Sequence, residues 1–209
     1  SIVCAGTYGK TTTAALLSWI LTQAGLEPSY MFGGLAIDES FGSASLGKPL
    51  KGIPPLPLDS PAVAGSLGVG RNDSGGEWSV LEGDEYKSAR WDDRPKFAHY
   101  SPTHLLLTAV EWDHADVYPT EDSYLQAFEK LVKSVPEDGL IVANESVSCN
   151  MEHGTWNKRT IKTYGKSDKA DYRYFDVKQS GNGLEFKIML HATCYTLNAH
   201  TLGDYMAEN

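Results

Sequence analysis

Residues 4–17 read "CAGTYGKTTTAALL", and the reading of this stretch decides the fold. A P-loop of the form G-x-x-x-x-G-K-[ST] carries a glycine five residues before the glycine that precedes the lysine. Here that second glycine is Gly9, followed by Lys10 and Thr11, and the earlier position is Cys4. On the N-terminal side, "SIVCA" (1–5) has the apolar character of a short buried strand. On the other side, Leu16, Leu17, Ile20, Leu21 and Ala24 recur at helical spacing over residues 10–24, and Gly25 is placed to end the helix. The stretch is a strand–turn–helix unit in which Cys4 belongs to the strand and the turn is a short glycine-bearing loop.

Moving outward, "SYMFGG" (29–34) predicts a second strand ending at paired glycines. Residues 48–76 are rich in Pro, Gly and Ser without periodicity, which predicts a long, mobile surface loop. "EWSVLEGD" (77–84) and "THLLLTAVEWDH" (103–114) are apolar runs with acidic ends. "TEDSYLQAFEKLVKSV" (120–135) is an amphipathic helix with Tyr124, Leu125, Phe128, Leu131 and Val132 on one face and Thr120 as its N-cap. "LIVAN" (140–144) returns as a strand. Strand and helix alternate, so the first 159 residues predict a mainly parallel α/β sheet with right-handed crossovers. From residue 160 to 209 alternating segments joined by "SGNG" predict a small antiparallel sheet attached to the main one. The expected class is α/β and P-loop-containing, with helices flanking the sheet, in one domain over 1–209.

The 209 residues carry a formal charge of -9, with 41% apolar and 22% charged residues. That balance argues against a broad basic surface for nucleic acid, which needs clustered Lys and Arg. No run reaches the roughly 18 apolar residues of a membrane span. Three widely spaced cysteines, Cys4, Cys149 and Cys194, fit reduced thiols in a cytoplasmic protein better than a disulfide framework. Cys149 with His153 and His191 with Cys194 match no compact zinc spacing. The chain opens on a strand without methionine, which predicts an excised piece of something longer.

In an open α/β sheet, ligands bind beyond the C-terminal ends of the strands. Three such ends are polar here: "GTYGKTT" (6–12), "EGDEY" (82–86) and "EWDH" (111–114). A glycine turn before a helix is by itself an ordinary connection. Strand, Gly-Lys, a run of threonines and an amphipathic helix in that order point to a triphosphate. Gly6 and Gly9 let the backbone approach phosphate oxygens, Lys10 reaches the β- and γ-phosphates, and Thr11 offers a hydroxyl to Mg²⁺. Glu82, at the end of its strand, is the favoured carboxylate for the same hard cation. His114 sits beside Asp113, whose carboxylate can set its tautomer.

The three strand ends together resemble the ATP-dependent Mur ligases of peptidoglycan synthesis, whose loop is A-G-T-x-G-K-T-T without the first P-loop glycine. "EGDEYKSARWDDRPKFAHYSP" (82–102) and "TAVEWDHADVY" (108–118) are most similar to the murein peptide ligase branch. That resemblance implies an acid–amino ligase of peptidoglycan recycling, in the bacterial cytoplasm. ATP activates the lactyl carboxylate of UDP-N-acetylmuramate as an acyl phosphate, and the murein tripeptide L-alanyl-γ-D-glutamyl-meso-diaminopimelate supplies the amine. It also implies Lys10, Glu82 and His114 as catalytic residues. ATP contacts fall on Gly6, Thr7, Tyr8, Gly9, Lys10, Thr11, Thr12 and Asn209. Metal contacts fall on Thr11, Glu82 and His114, and substrate contacts on Ser40, Phe41, Ser43, Asp84, Glu85 and Tyr86. An N-terminal UDP-binding domain and a C-terminal peptide-binding domain are expected outside this chain.

Several positions depart from the family pattern. Tyr8 stands for the usual His, Lys87 for Asp and Ala109 for Asn. Glu129 occupies the place of the lysine that some relatives carbamylate, and "GDYMAEN" (203–209) keeps only Asn209 of a G-x-H-N-x-x-N stretch. Two other readings stay open. One is a MurC-type ligase that adds a single L-alanine, and the other is a nucleotide-binding module without catalysis.

Overall fold

The computed structural model describes residues 1–35, 41–47, 78–147, 159–190, 192–201 and 203–208. Ser40, Asn209, the 48–76 segment and three of the four Cys/His positions weighed for zinc lie outside them. The strands are β1 Ile2–Ala5, β2 Ser29–Met31, β3 Ala44–Ser45, β4 Ser79–Gly83, β5 Lys87–Ala89, β6 Asp92–Pro95, β7 His104–Leu107, β8 Leu140–Asn144, β9 Thr160–Gly165, β10 Tyr172–Ser180, β11 Gly183–Leu190 and β12 Thr193–Ala199. The α-helices among the described residues are α1 Lys10–Gln23 and α2 Glu121–Ser134.

Among the described residues, ten strands form one sheet in the order β12-β11-β10-β9-β8-β7-β1-β4-β2-β3. Pairing is parallel from β2 through β4, β1, β7, β8 and β9 to β10. It turns antiparallel between β10, β11 and β12, and between β2 and β3. The chain is therefore mainly parallel with an antiparallel C-terminal part, as the alternation predicts. β9, inside the 160–209 segment, still runs parallel to β8. β5 and β6 form a separate hairpin whose charged sequence, "KSARWDDRP", offers no apolar alternation to announce it.

The central strands are buried on both faces, and their side chains alternate between two cores. Val3 and Ala5 of β1, with Leu105 and Leu107 of β7, pack with Tyr124, Phe128, Leu131 and Val132 of α2. Ile2, Cys4 and Leu106 face the other way, toward Ala14, Leu17 and Leu21 of α1 and toward Phe32. Cys4 lies within β1, between β4 and β7, with its side chain fully enclosed. Each large side chain in these clusters contributes about 1.5–3 kcal/mol by leaving water.

Both helices have well-defined ends. Thr120 caps α2 in a capping box with Ser123, each side chain meeting the other residue's backbone N–H. α1 closes in a Schellman arrangement, with Gly25 N donating to Thr22 O and Leu26 N to Leu21 O. α1 corrects one expectation about its face. Leu17 and Leu21 pack on the sheet, but Leu16 and Ile20 are nearly half exposed and Ala24 is exposed. The helix is apolar around most of its circumference, so spacing alone does not orient it.

Candidate active site

β1 ends at Ala5, and the chain turns through Gly6 with φ 141° and Gly9 with φ 80° before entering α1. A Cβ on Gly6 would lie 2.2 Å from Thr108 Oγ1 and 2.6 Å from Ala109 O, so only glycine fits against the end of β7. Thr7 anchors the loop from beneath. Its amide donates to Ala109 O at 2.6 Å. Its hydroxyl donates to Glu111 O at 2.8 Å, accepts from Glu111 N at 2.9 Å, and lies 2.8 Å from Tyr124 OH on α2. Amide and hydroxyl of Thr7 are thus both bonded within the protein and hold the loop in place. Tyr8 is exposed, and its carbonyl accepts the Thr108 hydroxyl.

α1 starts at Gly9 with no side-chain cap and no acidic residue in its first turn. Such a start leaves the first amides without intrahelical partners, and with the helix dipole they favour an anion. Thr11 Oγ1 donates to Glu82 Oε1 at 2.8 Å, while Glu82 Oε2 accepts from Gly33 N at 2.6 Å. The ends of β1, β4 and β2 therefore meet at one hydroxyl–carboxylate pair.

Lys10 reaches across to the segment after β4. Its Nζ donates to Thr7 O at 3.1 Å and to Glu85 Oε1 at 3.0 Å. Glu85 Oε2 is also 2.9 Å away, but that contact lacks hydrogen-bond direction, and this enclosed oxygen has no hydrogen bond. Glu85 is 1% exposed and also lies 3.1 Å from His114 Nε2. A carboxylate only accepts, so Nε2 carries the proton of that contact, while Nδ1 lies 2.8 Å from Tyr86 OH. Burial, with the surrounding carboxylates, raises the Tyr86 phenol and keeps it a donor. His114 has φ 60°, uncommon without glycine, and its amide is held by Asp113 Oδ1 at 2.7 Å.

The remaining residues sort into site and support. Burial alone would raise the Asp84 carboxyl, but Lys96 and the Tyr86 amide outweigh it and hold Asp84 below its ordinary value. Phe97 N donates to Asp84 O, and the Phe97 ring is buried against Phe128. Tyr118 OH donates to Glu85 O at 2.7 Å, its phenol pushed up to about 12 by burial and then by the charges of Glu85 and Asp84. Phe41 stacks with Tyr30 and Phe32, and Ser43 O accepts from Phe32 N. Phe41 thus joins an aromatic cluster beside β2. Glu129 pairs with Lys133 along α2 at 3.5 Å, and Lys87 pairs with Asp93 on the hairpin.

A cavity of about 610 Å³ opens beyond the ends of β7, β8 and β9, beside the loop. Ala109, Asn144, Thr163, Lys166, Tyr174 and Glu208 are among its lining residues, and sequence reasoning missed it. Glu208 ties the chain end to it, accepting from Asn144 Nδ2 at 2.6 Å and from Tyr174 OH at 3.0 Å. The one sequence signal was position, since Asn144 and Gly165 end parallel strands.

Among the described residues no three His, Cys, Asp or Glu side chains group as a metal cage. Thr11 and Glu82 nevertheless fit a small hard cation that completes its shell with phosphate oxygens and water. The uncapped helix start after Gly9 fits the phosphates themselves. No helix among the described residues is long and apolar enough to cross a membrane.

Comparison with known proteins identifies the family. A family model described as "Mur ligase middle domain" matches residues 58–209. The UDP-N-acetylmuramate–L-alanyl-γ-D-glutamyl-meso-2,6-diaminoheptandioate ligase of Haemophilus influenzae is 29% identical over 194 residues, 91% of this chain and 35% of that protein. A UDP-N-acetylmuramate–L-alanine ligase of Caldanaerobacter subterraneus is 27% identical over 207 residues, 99% of this chain and 35% of that protein. The solved murein peptide ligase of Neisseria meningitides superposes with a TM-score of 0.69 at 29% identity, covering 99% of this chain and 57% of that one. The chain spans about a third of the length of these two curated relatives. It belongs to the Mur ligase middle-domain family.

Proposed function

As a Mur ligase middle domain, this chain is one we propose to be the ATP-binding part of a murein peptide ligase, joining the L-alanyl-γ-D-glutamyl-meso-diaminopimelate tripeptide to UDP-N-acetylmuramate in the bacterial cytoplasm. The observation that carries the reading is the convergence of Lys10, Thr11, Glu82 and Glu85 at three adjacent strand ends. The α1 start would hold the triphosphate, and Asn144 and Tyr174 would border the nucleoside in the cavity. Lys10 offsets the charge on the phosphates, and Thr11 with Glu82 holds Mg²⁺. When bound, the cation neutralises phosphate charge and lets an anionic carboxylate approach the terminal phosphorus. Loop 6–9 orients the nucleotide, Thr7 and Tyr124 keep that loop fixed, and Asp84, Tyr86 and His114 border the acceptor side.

One observation favours the tripeptide enzyme over the alanine-adding one. The "KFAHY" block (96–100), typical of the murein peptide branch, packs directly on the site, with Lys96 on Asp84 and Phe97 in the core. The test is to assay the longer protein that contains this domain with the tripeptide and with free L-alanine. ATP-dependent ligation of the tripeptide supports the reading. Preference for alanine transfers the domain to the other branch, and no turnover with either favours a binding module.

A further inference from the structure

We propose that Glu85 is a positioning residue that makes nucleotide binding conditional on a divalent cation, because its buried carboxylate already holds the ammonium that the phosphates need. This rests on the ATP reading above. Lys10 has three N–H groups. One goes to Thr7 O and one to Glu85 Oε1, with the second carboxylate oxygen only 2.9 Å away. Glu82 adds a second carboxylate at the same strand ends, bound to Thr11 and Gly33. Asp84 is matched by its own Lys96. Lys10 is therefore already paired with Glu85, and with Glu82 at the neighbouring strand end a bare triphosphate would meet two carboxylates against one ammonium. A cation held by Glu82 and Thr11 reverses that sign and lets Lys10 turn its remaining donor to phosphate.

Two features separate this from a pair that only supports the fold. Glu85 Oε2 is fully enclosed and meets the Lys10 ammonium at 2.9 Å without a hydrogen bond of its own, so the buried carboxylate depends on that ammonium for its charge balance. Glu85 is also pinned from the backbone by Tyr118 and joined to His114, so its charge cannot swing away when ligand arrives. The carboxylate is fixed in place, and the lysine is the partner able to divide its donors.

The test is calorimetric titration of the chain with ATP in Mg²⁺ and with ATP in EDTA, for wild type, Glu85→Gln and Glu85→Asp. Wild type should bind the magnesium form at least about 30-fold more tightly, and Glu85→Gln should shrink that ratio by about tenfold, mainly by binding metal-free ATP better. Glu85→Asp keeps the charge and should stay within about threefold of the wild-type ratio. If Glu85→Gln does not fold, Glu85→Ser carries the same test. A ratio unchanged in the neutral variant overturns the inference while leaving the nucleotide site standing. Failure of wild type to bind either form instead rejects the site itself.

Discussion

The two ends of the long sheet are built in unlike ways. β1, β4, β7 and β8 are parallel, short and sandwiched, and their side chains alternate between two cores. β11 and β12 are antiparallel and longer, and β12 is exposed along most of its length, with Tyr195 and Leu197 in solvent. The difference teaches where precision is required. The sandwiched strands end at the loop, at Glu82 and at the cavity, so a shift in any of them moves the site. The far strands carry surface pairs such as Lys187–Asp176 and Lys178–Glu185, while Tyr174 of β10 reaches back to Glu208.

The sharpest way to break this contrast is Gly6→Ala. The added carbon would sit 2.2 Å from Thr108 Oγ1, so we expect a loss of about 4 kcal/mol or more, read as failure to fold or a large drop in denaturant midpoint. Lys10→Ala comes next. It removes the ammonium from the buried Glu85 carboxylate, leaving only the His114 contact, and should cost about 3–5 kcal/mol, besides losing Mg·ATP binding in the same titration. Tyr124→Phe removes the hydroxyl that meets Thr7 and should cost about 1–2 kcal/mol by chemical denaturation.

Much of the parallel half was legible because its signals are local. The strand ends, the α2 face and its Thr120 cap all follow from residues within a few positions of one another. The remainder depends on contacts between distant residues. Thr7 meets Tyr124 across 117 positions, and Lys10 meets Glu85 across 75, so no window of sequence contains either pair. Glu85 stands in the sequence as one of three acidic residues after a strand, and only burial distinguishes it from Asp84. The β5–β6 hairpin escaped because its residues are charged, with backbone pairing and surface ion pairs but no apolar face to mark it.

Two weaker effects sharpen the comparison. Asp84 sits below its ordinary value in the folded chain, so its contribution is present above the usual carboxylate range and lost as pH falls through the folded value. We expect thermal stability to drop on acidification below about pH 4, and less steeply in Asp84→Asn. Lys187→Ala, on the far strands, should leave the unfolding midpoint unchanged, since its pair with Asp176 is exposed. Ligation should be absent from the 209-residue chain alone, checked by assay of phosphate release with both acceptors.

Cys4 adds a clock to the molecule. Its thiol lies sealed between β4 and β7, and burial, with the nearby Glu82 charge, pushes it up to about 12. Almost no thiolate exists there at neutral pH, so alkylating reagents and mild oxidants should react with exposed Cys194 and pass Cys4 by. Labelling of Cys4 then requires β1 to leave its neighbours, and its rate measures how often the strand that leads into loop 6–9 opens.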